Sequence, residues 1–99
     1  MRKQPKTLSK AAEGLSSEQI LYALQKALRQ SLGAETRNLL LKTLKLVYKL
    51  DEKEIPSNLE RFDQLLGKIL GPNKTPIVRK HIIEELKKAH HHQATNATT

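Results

Sequence analysis

Residues 34–50 read AETRNLLLKTLKLVYKL, and this stretch decides the fold class. Leu39, Leu40, Leu41, Leu44, Leu46, Val47, Tyr48 and Leu50 would cover well over half the circumference of a helix. At about 100° per residue, Asn38, Lys42, Lys45 and Lys49 gather within an arc of roughly 60°. A helix apolar on so many sides is central in its domain or sandwiched against a partner. The stretch therefore predicts an all-α domain in which this helix is the most buried element. Its polar remainder is a narrow lysine stripe.

The segments on either side supply the other helices. Upstream, Ser16 and Gln19 have capping-box spacing, in which each side chain satisfies the other residue's free amide. A first helix is predicted from Ser16 or Ser17, with Ile20, Leu24, Ala27, Leu28 and Leu32 at helical spacing and Gly33 as its stop. Tyr22, Lys26 and Arg29 fall on its other side. Downstream, Asp51 to Glu54 read as an acidic linker, and the Ile55-Pro56 step blocks continued helix. Ser57 and Glu60 form a second capping-box pattern, ahead of Leu59, Phe62, Leu66, Ile69 and Leu70 on a third helix that Gly71-Pro72 ends. Thr75 before Pro76 predicts the cap of a fourth helix, lined by Val78, Ile82, Leu86 and Ala89 and broadened by Ile83.

These elements predict a compact bundle of four helices over residues 16–92, with antiparallel neighbours. Residues 1–15 carry Arg2, Lys3, Lys6 and Lys10 against Glu13 and include Pro5 and Gly14, which predicts a mobile basic arm. Residues 93–99 are polar and are expected to form a disordered tail.

The composition narrows the function. A formal charge of +8 on 99 residues predicts attraction to polyanions. Zero cysteines exclude disulfides, thiolate metal sites and a cysteine nucleophile, and they fit a reducing interior. No apolar run reaches the length of a membrane span, and no signal-peptide core follows the basic N-terminus. The chain is expected to be cytoplasmic and not to engage a membrane.

Catalytic chemistry is not visible. His90, His91 and His92 are consecutive, so on a helix they point about 100° apart and do not converge on one metal ion. His81 lies beside the apolar stripe of the fourth helix, where a boundary role suits it better than that of a general base. Asp51, Glu52 and Glu54 lack the spaced oxygen ligands and glycine of a calcium loop. The glycines form no phosphate loop, and the serines have no nucleophile-elbow surroundings. No enzyme activity, cofactor or metal is expected.

Two binding classes remain. Lysine suits sequence-independent phosphate contact, and the candidates are Lys42, Lys45 and Lys49 with Arg79, Lys80, Lys87 and Lys88 on the fourth helix. These residues would serve a nucleic-acid-binding regulator or chromatin-like protein on DNA or another polyanion. Only Tyr22 and Tyr48 offer stacking, so no single-strand stacking platform is expected. The second helix is too leucine-rich to act as a groove-reading recognition helix, whereas the fourth, with Arg79 and His81, is better suited. The other class is a small accessory or adaptor subunit that binds a protein partner through apolar helix faces. The apolar surplus of the second helix also admits a homodimer.

Ile55-Pro56-Ser57-Asn58, Phe62, Leu65-Leu66, Ile69-Leu70-Gly71 and Ile82-Ile83-Glu84-Glu85-Leu86 together resemble the archaeal nitrification-associated, or Nitrosopumilus-type, output domain. The likeness extends loosely back to about Ile20. It implies an all-helical domain, free-standing or appended to signalling modules, with an output role and no catalytic residues.

Overall fold

Local sequence signals position the first long helix. In the computed structural model, which describes residues 7–98 with side chains through residue 90, α2 spans Ser17–Leu32. Its capping box forms as expected. The Ser16 amide donates to Gln19 Oε1 at 2.9 Å, and the Gln19 amide donates to Ser16 Oγ at 3.1 Å. Ile20, Ala23, Leu24, Ala27 and Leu28 are buried along one face, and the main packing partner of α2 is the long C-terminal helix.

The remaining elements are all helical, and no strand occurs among the described residues. A single turn, α1 (Leu8–Ala11), precedes α2, and α3 (Ala34–Leu46) follows it. A 3-10 turn over Glu52–Ser57 leads into α4 (Leu59–Thr98), which bends at Gly71 into segments 59–70 and 72–98. The four predicted helices are thus α2, α3 and the two segments of α4. No helix among the described residues is long and apolar enough to cross a membrane.

Gly33 and Gly71 divide the helices by the same means. Gly33 has φ 87° and ψ 162°, and Gly71 has φ 86° and ψ 170°, a region that essentially only glycine enters. After Gly71 the next helix restarts at once, with Pro72 at its first position, where a missing N–H costs nothing. Thr75 is therefore not the expected cap. It is buried within the helix, where its single hydroxyl hydrogen is shared between Gly71 O at 2.6 Å and Leu66 O at 3.2 Å from Oγ1, tying the two segments together.

Three other expectations are corrected. Within the predicted arm, Leu8, Ala11 and Ala12 are buried in the core, and Thr7 caps their turn through the Lys10 amide. Residues 1–6 lie outside the described residues. The acidic linker folds as the 3-10 turn and buries Ile55. Asn58, not Ser57, takes the cap position of α4, since its carbonyl accepts from the Phe62 amide at 2.9 Å. The expected tail, residues 93–99, falls where side chains lie outside the described residues.

The largest correction concerns α3. It is a peripheral helix and not the most buried one, because α4 is the main packing partner of α2 and α3 packs chiefly on α2 and the 3-10 turn. Leu40 and Leu44 are buried, but Leu39, Leu46 and Val47 remain 64%, 63% and 63% exposed.

Candidate nucleic-acid interface

The lysine stripe is shaped by the way α3 ends. Lys42 and Lys45 lie on the helix, whereas Lys49 lies beyond it with φ 59°, in the left-handed region. The Leu50 amide donates to Leu44 O at 2.9 Å, reaching back over the turn to a carbonyl that also accepts from the Tyr48 amide at 3.2 Å. Leu44 and Leu50 are both buried, so the turn is closed over the core. Arg61 reinforces the same end by donating to Tyr48 O at 2.6 Å. Lys49 therefore projects from a turn and not from the helix on which the sequence placed it. Lys42, Lys45 and Lys49 are all exposed, and none of the three has an ion pair or side-chain hydrogen bond among the described residues.

The α4 candidates divide into separate groups. Arg79 Nε donates to Asp63 Oδ1 at 2.8 Å in a pair whose carboxylate is the more enclosed partner. Lys88 Nζ lies 3.4 Å from Glu85 Oε2, while Lys26 approaches the other oxygen of that carboxylate at 3.8 Å. Glu85 is the nearly buried acid that both ammonium groups meet. Lys80 and Lys87 are exposed and, seven residues apart, share a face of the helix. Arg79 and Lys88, nine residues apart, point about 180° away from each other. The seven candidate cations do not form one patch. α3 packs on α2 and the 3-10 turn, while α4 packs chiefly on α2 and α1.

The histidines take structural places. His90 Nε2 donates to Ala11 O at 3.0 Å, holding the distal part of α4 against the end of α1. His81 is half-buried. The side chains of His91 and His92 lie outside the described residues. Among the described residues, no group of three histidines, cysteines or acids is placed to hold a metal ion.

One basic site arises only in the folded chain. Tyr22, Gln25, Lys26, Arg29 and Gln30 of α2, together with Arg37 of α3, line an open groove of about 520 Å³. The spacing of Tyr22, Lys26 and Arg29 is legible as the outer stripe of α2. Arg37 joins them because the Gly33 turn folds α3 back. The exposed Leu39, Leu46 and Val47 likewise escape a sequence reading, since their spacing suits a core.

Comparison with known proteins gives no further guide: no family model matches this chain, and neither do curated proteins or solved structures.

Proposed function

We propose that this chain is a non-enzymatic, cytoplasmic nucleic-acid-binding protein of regulatory or chromatin-like type. It grips the phosphate backbone through Lys42, Lys45 and Lys49. The observation that supports this reading is that these three cations reach solvent and are unpaired among the described residues, whereas Arg79 and Lys88 are engaged by carboxylates within the fold. An unpaired ammonium group can neutralise a phosphate without first breaking an internal contact, and doing so releases condensed counterions. Such contacts position the protein on a duplex but do not read bases. Lys80 and Lys87 on α4 would provide secondary contacts. Electrophoretic mobility shift with duplex DNA at several salt concentrations tests the reading. Binding that weakens steeply with salt supports it, and absence of binding at low salt removes it.

A second reading is favoured by the exposed Leu39, Leu46 and Val47. Apolar side chains clustered on a peripheral helix mark contact surfaces, as in an accessory or adaptor subunit of a replication, transcription or signalling complex. The same face would serve a homodimer. Sedimentation of the wild type and of a Leu39→Ser, Leu46→Ser variant tests the homodimer directly. A monomer at micromolar concentration removes the homodimer and leaves the adaptor reading standing.

A further inference from the structure

We infer that the groove between α2 and the start of α3 captures one unpaired nucleotide of a single-stranded nucleic acid. Tyr22 would stack the base, while Arg29 and Arg37 hold the adjoining phosphate. The inference shares only its ligand class with the function proposed above, because it does not depend on the α3 lysines.

Tyr22 is 68% exposed, an unusual position for a large aromatic ring in a chain whose aromatic content is only 3%. Tyr22, Lys26 and Arg29 follow at i, i+4 and i+7, so they lie within about 60° on the outer face of α2. Arg37 faces them from α3 and completes the lining with Gln25 and Gln30. None of these six residues is acidic, so the groove carries three cations and no opposing carboxylate in its lining.

The polar groups are prepared to different degrees. Arg29 has no side-chain hydrogen-bond or ion-pair partner among the described residues. Arg37 donates only to the neutral Asn38 side chain, from Nε at 3.3 Å and from a terminal nitrogen at 2.9 Å. Two guanidinium groups without carboxylate partners suit phosphate, which they can bind in bidentate fashion. Lys26 is partly committed to Glu85 at 3.8 Å. The Gln25 amide is held by Glu52, which leaves Gln30 as the uncommitted amide for a base edge.

The volume of about 520 Å³ falls within the range of sites that accept small organic ligands, which fits one nucleotide and not a duplex. Base stacking on an aromatic ring tolerates any base. A single tyrosine therefore gives preference for an unpaired nucleotide without sequence choice. Two tyrosines in the whole chain cannot build a multi-base platform, but one exposed ring beside two arginines needs no platform. Arg37 and Lys42 lie about 140° apart around α3, so groove and lysine stripe can be altered separately.

The test measures binding of fluorescein-labelled oligothymidine of about ten nucleotides, a length within single-strand site sizes, and of an abasic strand with the same phosphates, by fluorescence anisotropy. Tyr22→Ala is expected to weaken oligothymidine binding by about fivefold to a hundredfold and to leave abasic binding unchanged, while Tyr22→Phe retains the wild-type affinity. Arg29→Gln and Arg37→Gln should weaken both strands, each reducing the salt slope by roughly 0.7. Lys42→Gln, Lys45→Gln and Lys49→Gln together should spare the Tyr22-dependent difference between the two strands. Loss of that difference only in Tyr22→Ala supports the inference even if the α3 lysines prove irrelevant to duplex DNA. Equal wild-type affinity for both strands overturns it, as does an unchanged affinity in Tyr22→Ala. Displacement of oligothymidine by a poly-glutamate peptide of equal charge at the same concentration also overturns it, because the groove would then read charge alone.

Discussion

Arg79 donates to Asp63 at 2.8 Å across the Gly71 bend, joining the two segments of α4 through residues that lie on either side of it. This pair changes how the basic residues of α4 should be read. A guanidinium already held by a carboxylate must give up that contact to meet a phosphate. Arg79 is therefore a strut of the fold, and the lysines of α3 are better placed for an external polyanion.

Replacing Arg79 by alanine is expected to lower stability by about 1 kcal/mol, the upper range for a partly exposed ion pair. For a domain of this size, that loss corresponds to a fall of roughly 4–8 °C in the unfolding midpoint. The Arg79→Ala, Asp63→Ala double variant should cost less than the two single losses combined, since both remove one interaction. Thermal unfolding by circular dichroism gives all three values, and strict additivity would show that the pair contributes nothing.

Leu8 is fully buried among core residues. Leu8→Ala should destabilise the domain by about 2–5 kcal/mol through reduced burial and the cavity left behind. Urea unfolding measures this loss directly. An unchanged midpoint would mean that the N-terminal turn is not part of the folded unit.

Gly71→Ala should cost about 1–3 kcal/mol, because alanine is strained at φ 86° and ψ 170°. Beyond the adjoining chain, nothing lies within 4 Å of the added methyl group, so the loss would come from the backbone. Gly67→Ala is the internal control. It also meets nothing within 4 Å, but its place inside a helix predicts a gain of up to about 1 kcal/mol. Opposite signs for the two variants in the same unfolding experiment are the expected result.

Lys49 adopts φ 59°, and a left-handed conformation is costly for a residue with a Cβ. Lys49→Gly should raise stability by up to about 1 kcal/mol, the relief of that cost less the extra entropy of the unfolded chain. It should weaken duplex DNA binding at the same time by removing one cation from the phosphate-binding surface. A more stable protein that binds less tightly would separate the role of this side chain from that of the turn.

The parts of the fold legible in the sequence are those fixed by near neighbours. The Ser16–Gln19 box and the buried face from Ile20 to Leu28 depend on residues three or four apart, so spacing alone reveals them. Leu8, Ala11 and Ala12 span barely one turn, too short for periodicity to stand out in a lysine-rich terminus. The restart at Pro72 is hidden because Thr75-Pro76 offers an equally good local cap. The exposure of Leu39, Leu46 and Val47 is not legible at all. Helical spacing shows how much apolar surface a segment has, whereas which neighbour covers it is settled by tertiary packing, here by α4 on α2. The basic candidates can be named from sequence, but the engagement of Arg79 and Lys88 depends on Asp63 and Glu85, and only the folded chain brings these acids to them.

Replacement of Lys42, Lys45 and Lys49 together by glutamine is the most direct test, because glutamine has similar helix propensity and none of the three side chains is buried. The measurement is duplex DNA affinity by mobility shift across a salt series, with the fold checked by circular dichroism. The expected result is weaker binding with an unaltered fold, and a plot of log affinity against log salt that is shallower by up to about 0.9 for each phosphate no longer neutralised. Affinity and salt slope both equal to those of the wild type would contradict the assignment of this surface to the nucleic-acid backbone.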